Sequence, residues 1–258
     1  MALYDRIGVG YDTTRQADPY LLSRLIHHLR PRADGRYLDL GSGTGNYTIA
    51  MHQAGVPIRG LELSATMLAR AKEKAPMIAW YNARAEAIPF ASGSFDGSIC
   101  TFVHHHMADP AAAFREVYRV MKPHARLVIL NGTAEQMRHY WLNEYFPRMM
   151  QKAIAPYERF VTIEALESAG FRIACEEKYD VTPDLKDFFL CCGKLQPERY
   201  LDPHIRSGIS SFADAPDQEE VARGVQRIAD DIDSGSINDV IRKYAYDGGD
   251  YMFTVAER

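Results

Sequence analysis

Leu38-Asp39-Leu40-Gly41-Ser42-Gly43-Thr44-Gly45-Asn46-Tyr47 is the stretch on which the fold reading turns. It lies where a short apolar run, Tyr37 to Leu40, gives way to a helix-like stretch from Asn46 to Ala54. The glycines therefore occupy a strand-to-helix turn. In open α/β sheets, ligands bind outside the carboxyl ends of the strands, at turns of this kind. Glycines there let the backbone approach a ligand without a Cβ in the way, and they accept positive φ. The spacing is GxGxG. A dinucleotide fingerprint, GxGxxG, would need its third glycine where Asn46 stands, so a dinucleotide-dependent oxidoreductase is the weaker alternative. No Gly-Lys-Ser/Thr follows, which excludes a P-loop.

Working outward, Leu22, Leu25, Ile26 and Leu29 recur at helical spacing behind an Asp18-Pro19 start signal. Downstream, Ile58–Leu63, Ile78–Asn82, Ser98–Val103 and Leu127–Leu130 read as buried strands. Helical stretches alternate with them, around Met67, Leu68 and Ala71 and over Pro110–Met121. Such alternation predicts βαβ units and a doubly wound α/β fold with a parallel sheet covered on both faces. Beyond residue 132 the alternation weakens. A short helix over Thr162–Ala169 closes at Gly170, a strand follows over Phe171–Val181, and residues 183–245 are mostly helical. In that region Val221, Val225, Ile228 and Ile232 form a stripe, and Asp217 with Glu220 resembles a capping box. Tyr251–Val255 is a plausible last strand. The organisation expected is one domain over residues 1–258. Residues 1–132 would form its core, and 133–160 and 183–245 a helical cap over the substrate.

Composition narrows the function classes. The 258 residues are 47% apolar and 25% charged, as in ordinary globular chains. Thirty basic and thirty-four acidic residues give a net charge of −4 with no dense basic run, so neither a nucleic acid nor a membrane is the expected partner. Cys100, Cys175, Cys191 and Cys192 show no CxxC spacing, and the N-terminal stretch has no apolar signal segment, so a reducing cytoplasmic setting is expected. Composition says nothing about oligomeric state. Glu62 stands at the end of the second strand, placed to accept hydrogen bonds from two vicinal ribose hydroxyls.

These residues, together with GLELSATMLARAKEKA (60–75), AEAIPFASGSFD (85–96) and HHMADPAAAFREVYRVMKP (105–123), give the sequence its resemblance. It resembles the class I S-adenosylmethionine-dependent methyltransferases, in particular the ubiquinone/menaquinone-biosynthesis branch, from about Tyr37 to Gly132. The resemblance implies a mostly parallel seven-stranded sheet with an antiparallel last strand. It also implies S-adenosyl-L-methionine as cofactor, with S-adenosyl-L-homocysteine as product. By position, Asp39 and the turn Gly41, Ser42, Gly43, Thr44 and Gly45 would hold the methionine moiety. Glu62 would hold the ribose, and Leu63, Met67, Ala85 and Glu86 would lie about the adenine. Phe102 belongs to the same cofactor set. Tyr11 and Arg15 match residues that close over the cofactor in relatives. Arg84 stands where many relatives carry an Asp that contacts the adenine, and His124-Ala125 replaces a usual Gly-Gly turn. Residues 133–258 bear a fainter likeness to bacterial methyltransferases of natural-product pathways. A non-catalytic S-adenosylmethionine-binding protein is a further alternative, which intact Gly41, Gly43 and Glu62 disfavour.

Methyl transfer from a sulfonium is an in-line displacement favoured by alignment and desolvation, and it needs a base only where the nucleophile must lose a proton. The fourth predicted strand ends in His104-His105-His106. His105, then His106, are the expected catalytic bases, and His104 an acceptor contact. Consecutive side chains diverge, and no carboxylate or cysteine completes a ligand set, so no metal is expected. Tyr140, Trp141 and Tyr145 are candidates to line a small-molecule acceptor pocket, and Arg206 to anchor an acidic acceptor.

Overall fold

The computed structural model describes residues 11–103, 106–159 and 162–258. Seven strands form one sheet: β1 (Tyr37–Leu40), β2 (Ile58–Glu62), β3 (Trp80–Asn82), β4 (Phe95–Thr101), β5 (Met121–Asn131), β6 (Arg172–Tyr179) and β7 (Tyr251–Glu257). Their order is β3-β2-β1-β4-β5-β7-β6. The first five run parallel, with Asp39 beside Gly60 and Ile99 on its two neighbours. β7 is antiparallel to both β5 and β6, placing Phe253 between Leu130 and Glu177. The doubly wound, mostly parallel sheet expected from the sequence is the sheet observed. The strand order reverses between β1 and β4, where a crevice opens above the strand ends.

Period-two alternation divides the core between the two faces of the sheet. Leu38, Leu40, Leu127 and Ile129 pack on one side, with Phe114 and Val117 of a helix over Pro110–Val120. Tyr37, Ile99, Val128 and Leu130 pack on the other, beneath a helix over Pro19–Leu29. That helix starts as its sequence requires: Asp18 accepts the Tyr20 and Leu21 N–H groups and Pro19 follows it. The β4 strand begins at Phe95, three residues before the apolar run that predicted it, because Phe95 fills a buried site against Phe90.

The segments between β5 and β6 and between β6 and β7 carry the cap helices. Three of them are labelled αA (Pro147–Arg159), αB (Ser210–Ala213) and αC (Gln218–Ser234). At the start of αC, Asp217 caps the Glu219 and Glu220 N–H groups as the sequence suggests. Glu220 does not return a bond to complete a capping box. Its buried carboxylate accepts the Arg148 and Met149 N–H groups at 2.9 Å each, so it caps αA instead. Tertiary packing has diverted a side chain whose spacing suits a local motif. Among the described residues no helix is long and apolar enough to cross a membrane.

Glu220→Ala removes the acceptor for two buried N–H groups at the start of αA. It is expected to lower unfolding stability by about 1–3 kcal/mol. Urea denaturation of both proteins, with m-values compared, measures the loss.

Candidate active site

The turn after β1 is held by its own backbone. The Gly41 and Ser42 N–H groups donate to Leu61 O on β2 at 2.8 and 3.0 Å, which keeps the loop against the neighbouring strand end. Gly41, Gly43 and Gly45 all have positive φ. They are required for different reasons. A Cβ on Gly41 would collide with Val103 at 2.4 Å, and one on Gly45 with Trp80 at 2.4 Å, so both serve close packing. A Cβ on Gly43 would meet only Met67 Cε, at 3.6 Å; its space belongs to the cavity above the turn. Gly45 does not line that cavity, a correction to the expectation that it touches a ligand.

Every other residue expected to serve the cofactor lines this cavity of about 320 Å³. Glu62 is buried, with its Oε2 accepting the Gly43 N–H at 2.9 Å and its Oε1 the Ser64 N–H at 2.7 Å. Asp39 takes the Thr48 hydroxyl on Oδ2 at 2.6 Å, while its buried Oδ1 has no hydrogen-bond partner among the described residues, and neither has buried Ser42 Oγ. Burial pushes the Asp39 carboxyl up to about 7, against the lowering effect of Thr48, and the Glu62 charge adds to the rise. Thr44 donates to Asp12, and Lys74 bridges Asp12 and Asn46 at 3.0 and 2.7 Å, pinning the segment from Tyr11 onto the turn. Exposed Leu63 and buried Met67 form apolar walls. Arg84, half exposed, pairs with Glu86 at 3.4 Å at the rim.

A second cavity, of about 450 Å³, adjoins the first. Its walls come from αA (Met149, Ala153, Pro156, Tyr157), from Phe189 and Leu190, and from αB and the residues beside it. Three residues line both cavities: Arg15, Phe102 and His106. Phe102 holds φ +53°, a conformation that costs a side chain about 1–2 kcal/mol. Its ring packs on Phe189 and Tyr251, with centroids 4.6 and 5.2 Å away. Arg15 donates its Nε to Asp187, with Nη2 3.5 Å from the other carboxylate oxygen, and lies over the Tyr11 ring. By surface area His106 is exposed, but it lines the two cavities, and the protein around its ring makes hydration of the charged form less favourable. That desolvation pushes its imidazole down to about 4; Asp214 opposes the shift and Arg15 reinforces it.

The other expected residues fare differently. His104 and His105 lie outside the described residues. Tyr140, Trp141 and Tyr145 line neither cavity and are 2–3% exposed in the core. Tyr140 bonds to Tyr200, Trp141 to Lys194 O, and Tyr145 to Asp231, so the expectation of an aromatic acceptor wall there is corrected to packing. Arg206 donates to Tyr200 O, and it too lies outside both cavities. The sequence reading missed Asp187 and Phe189. A lone acid running into Phe188-Phe189-Leu190-Cys191-Cys192 was the available signal. Among the described residues no cluster of three His, Cys, Asp or Glu side chains is placed to hold a metal.

Residues 38–129 match the family described as "Methyltransferase domain". Over 193 residues the chain is 26% identical to the ubiquinone/menaquinone biosynthesis C-methyltransferase of Geotalea uraniireducens, spanning 69% of this chain and 82% of that one. A crystal structure from Anabaena variabilis, provisionally assigned as a methyltransferase of an antibiotic biosynthesis pathway, is 27% identical with a TM-score of 0.82. It covers 95% of this chain and 99% of its own. The fold alone is shared with the Streptomyces coelicolor geranyl diphosphate C-methyltransferase, 17% identical with a TM-score of 0.57 over 93% of this chain and 80% of that one; its structure holds S-adenosyl-L-homocysteine. Over residues 38–129 in sequence, and over nearly its whole length in fold, the chain is similar to a class I S-adenosylmethionine-dependent methyltransferase. The first cavity suits its cofactor: the unpartnered Asp39 and Ser42 oxygens lie in its lining, and the space over Gly43 is clear.

Gly43→Val is expected to abolish S-adenosylhomocysteine binding in a calorimetric titration. Gly55→Val is the control for backbone strain, because Gly55 has φ +85° with nothing within 4 Å, and that variant should bind normally.

Asp39 generates a pH prediction. A cationic ligand favours the ionised carboxylate, so binding should release a proton near pH 7, and affinity should rise with pH until Asp39 is ionised in the free protein. Titrations from pH 6 to 8 in buffers of different ionisation enthalpy count that proton. The Asp39→Asn variant should lose the dependence.

Proposed function

We propose that the protein methylates a small molecule held in the second cavity, with Arg15, Phe102 and His106 at the passage between donor and acceptor. The observation that carries this reading is the sharing of those three residues by the two adjoining cavities. S-adenosylmethionine supplies an electrophilic methyl group on a sulfonium. On this reading the Asp39 carboxylate and the amides of the glycine turn hold its methionine end. Glu62 accepts the ribose hydroxyls, and Leu63 and Met67 enclose the adenine. Arg84, paired with Glu86 at the rim, leaves the adenine edge without the acid many relatives have there. The cap segments 133–160 and 183–245 serve as the substrate lid, since αA, Phe189 and αB wall the second cavity.

His106 is the base in this scheme. With its imidazole near 4 it is unprotonated at neutral pH, ready to take a proton from an acceptor hydroxyl, amine or activated carbon. Such a weak base suits an acceptor whose own proton is acidic. Met137, Met149 and Phe189 give the acceptor an apolar bed, and Lys152 paired with Asp214 at 2.8 Å gives it a polar end. A cavity of this size and lining favours a metabolite or natural-product precursor over a nucleic acid. A cytoplasmic setting is part of this reading, in keeping with four cysteines that show no CxxC spacing.

His106→Ala is expected to lower kcat by about 10²–10⁴-fold on the true acceptor while S-adenosylhomocysteine affinity stays within about twofold. In the wild-type protein kcat should be level between pH 6 and 8 and fall only as pH drops towards 4, since protonation below that point removes the base. A variant that retains full turnover would leave His106 as a wall residue.

A further inference from the structure

We propose that Asp187 is a positioning residue for the positively charged end of the cofactor: it neutralises Arg15 where the two cavities meet. The inference rests on the reading above, in which the methyl group crosses that passage.

Arg15 lines both cavities, and its side chain is only 11% exposed. A guanidinium cannot shed its proton in a protein, so this charge is permanent. A sulfonium brought to the same passage, in surroundings poor in water, meets that charge with little screening. Left alone, Arg15 would oppose the ligand on which the enzyme depends. Asp187 cancels it. Its carboxylate, 3% exposed, faces Arg15 Nε with one oxygen and Nη2 with the other, and it accepts the Tyr47 hydroxyl at 3.2 Å.

Asp187 is itself held in place from both sides. The Lys186 N–H donates to Asp18 Oδ2 at 3.0 Å, and the Phe188 N–H to Thr14 O at 2.9 Å. The residues flanking Asp187 are thus pinned to the Thr14–Asp18 segment that carries Arg15, and the pair meets in a fixed geometry. Asp39 and Glu62 are less suited to this task. Glu62 is committed to the Gly43 and Ser64 amides, and Asp39 lies under the glycine turn with Thr48 on its carboxylate. In the second cavity Lys152 is neutralised in the same way by Asp214. Both basic side chains near the transfer path are therefore paired with carboxylates, and the path carries no uncompensated positive charge from either.

A structural tie and an electrostatic one are told apart by the charge of the ligand. S-adenosylhomocysteine is a neutral thioether at the critical atom; sinefungin carries an ammonium there. Dissociation constants for both are measured by calorimetry on the wild-type protein and on Asp187→Asn, Asp187→Glu, Arg15→Met and the Asp187→Asn/Arg15→Met double variant. Asp187→Asn is expected to weaken sinefungin about tenfold more than S-adenosylhomocysteine. Asp187→Glu should recover most of that difference, and the double variant should return the ratio to the wild-type value. Equal weakening of both ligands by Asp187→Asn would overturn the proposal. If Asp187→Asn does not fold, Arg15→Met decides, since it should shift preference towards sinefungin, and a shift towards S-adenosylhomocysteine overturns the idea. A wild-type protein that binds neither ligand would instead refute the reading of the first cavity, and this proposal with it.

Discussion

The carboxylate of Glu62 ties together the ends of β1 and β2, and the first cavity is arranged around it. One oxygen takes the Gly43 amide and the other the Ser64 amide. The first bond holds the glycine turn in its left-handed course. The second fixes Ser64, whose side chain caps the helix Ala65–Lys74 at the Met67 N–H. Two backbone donors hold this buried carboxylate in a fixed orientation. Leu63, Met67 and the open space over Gly43 all take their positions from it.

Around that anchor the chain separates two tasks by electrostatics. The floor of the first cavity is acidic, with Asp39 and Glu62 in its lining. The second cavity is walled largely by apolar and aromatic side chains, and its lysine is matched by an acid. Between them lie a neutral imidazole, an arginine balanced by Asp187, and the face of Phe102. A transfer in which positive charge disappears is helped wherever little solvent has to reorganise.

What was legible in the sequence was local. The glycine turn, the strand-helix alternation and the Asp18-Pro19 helix start depend on neighbours within a few residues, and the structure has them where the spacing puts them. The second cavity is different in kind. It joins Arg15, Phe102, αA, Phe189 and αB, segments brought together only by the folded sheet. Spacing could not distinguish aromatic side chains that face a cavity from those that fill a core, so Tyr140, Trp141 and Tyr145 were misplaced and Phe189 was overlooked. Glu220 shows the same limit: its position relative to Asp217 suits a capping box, but its partner is on another helix. Asp187 carried a faint signal, an acid beside an apolar run, and its meaning appears only with Arg15 beside it.

The left-handed backbone at Phe102 has a consequence for how this protein can change over time. Glycine would relax that backbone and remove the ring that separates the cavities, so substitution there sets fold stability against the shape of the passage. Selection for a sturdier protein and selection for an aligned acceptor pull this one position in opposite directions. The cap helices carry no such conflict, because their inward residues can be exchanged without disturbing the turn after β1. Divergence in acceptor choice is therefore expected to accumulate in αA and αB, while the end of β4 stays fixed.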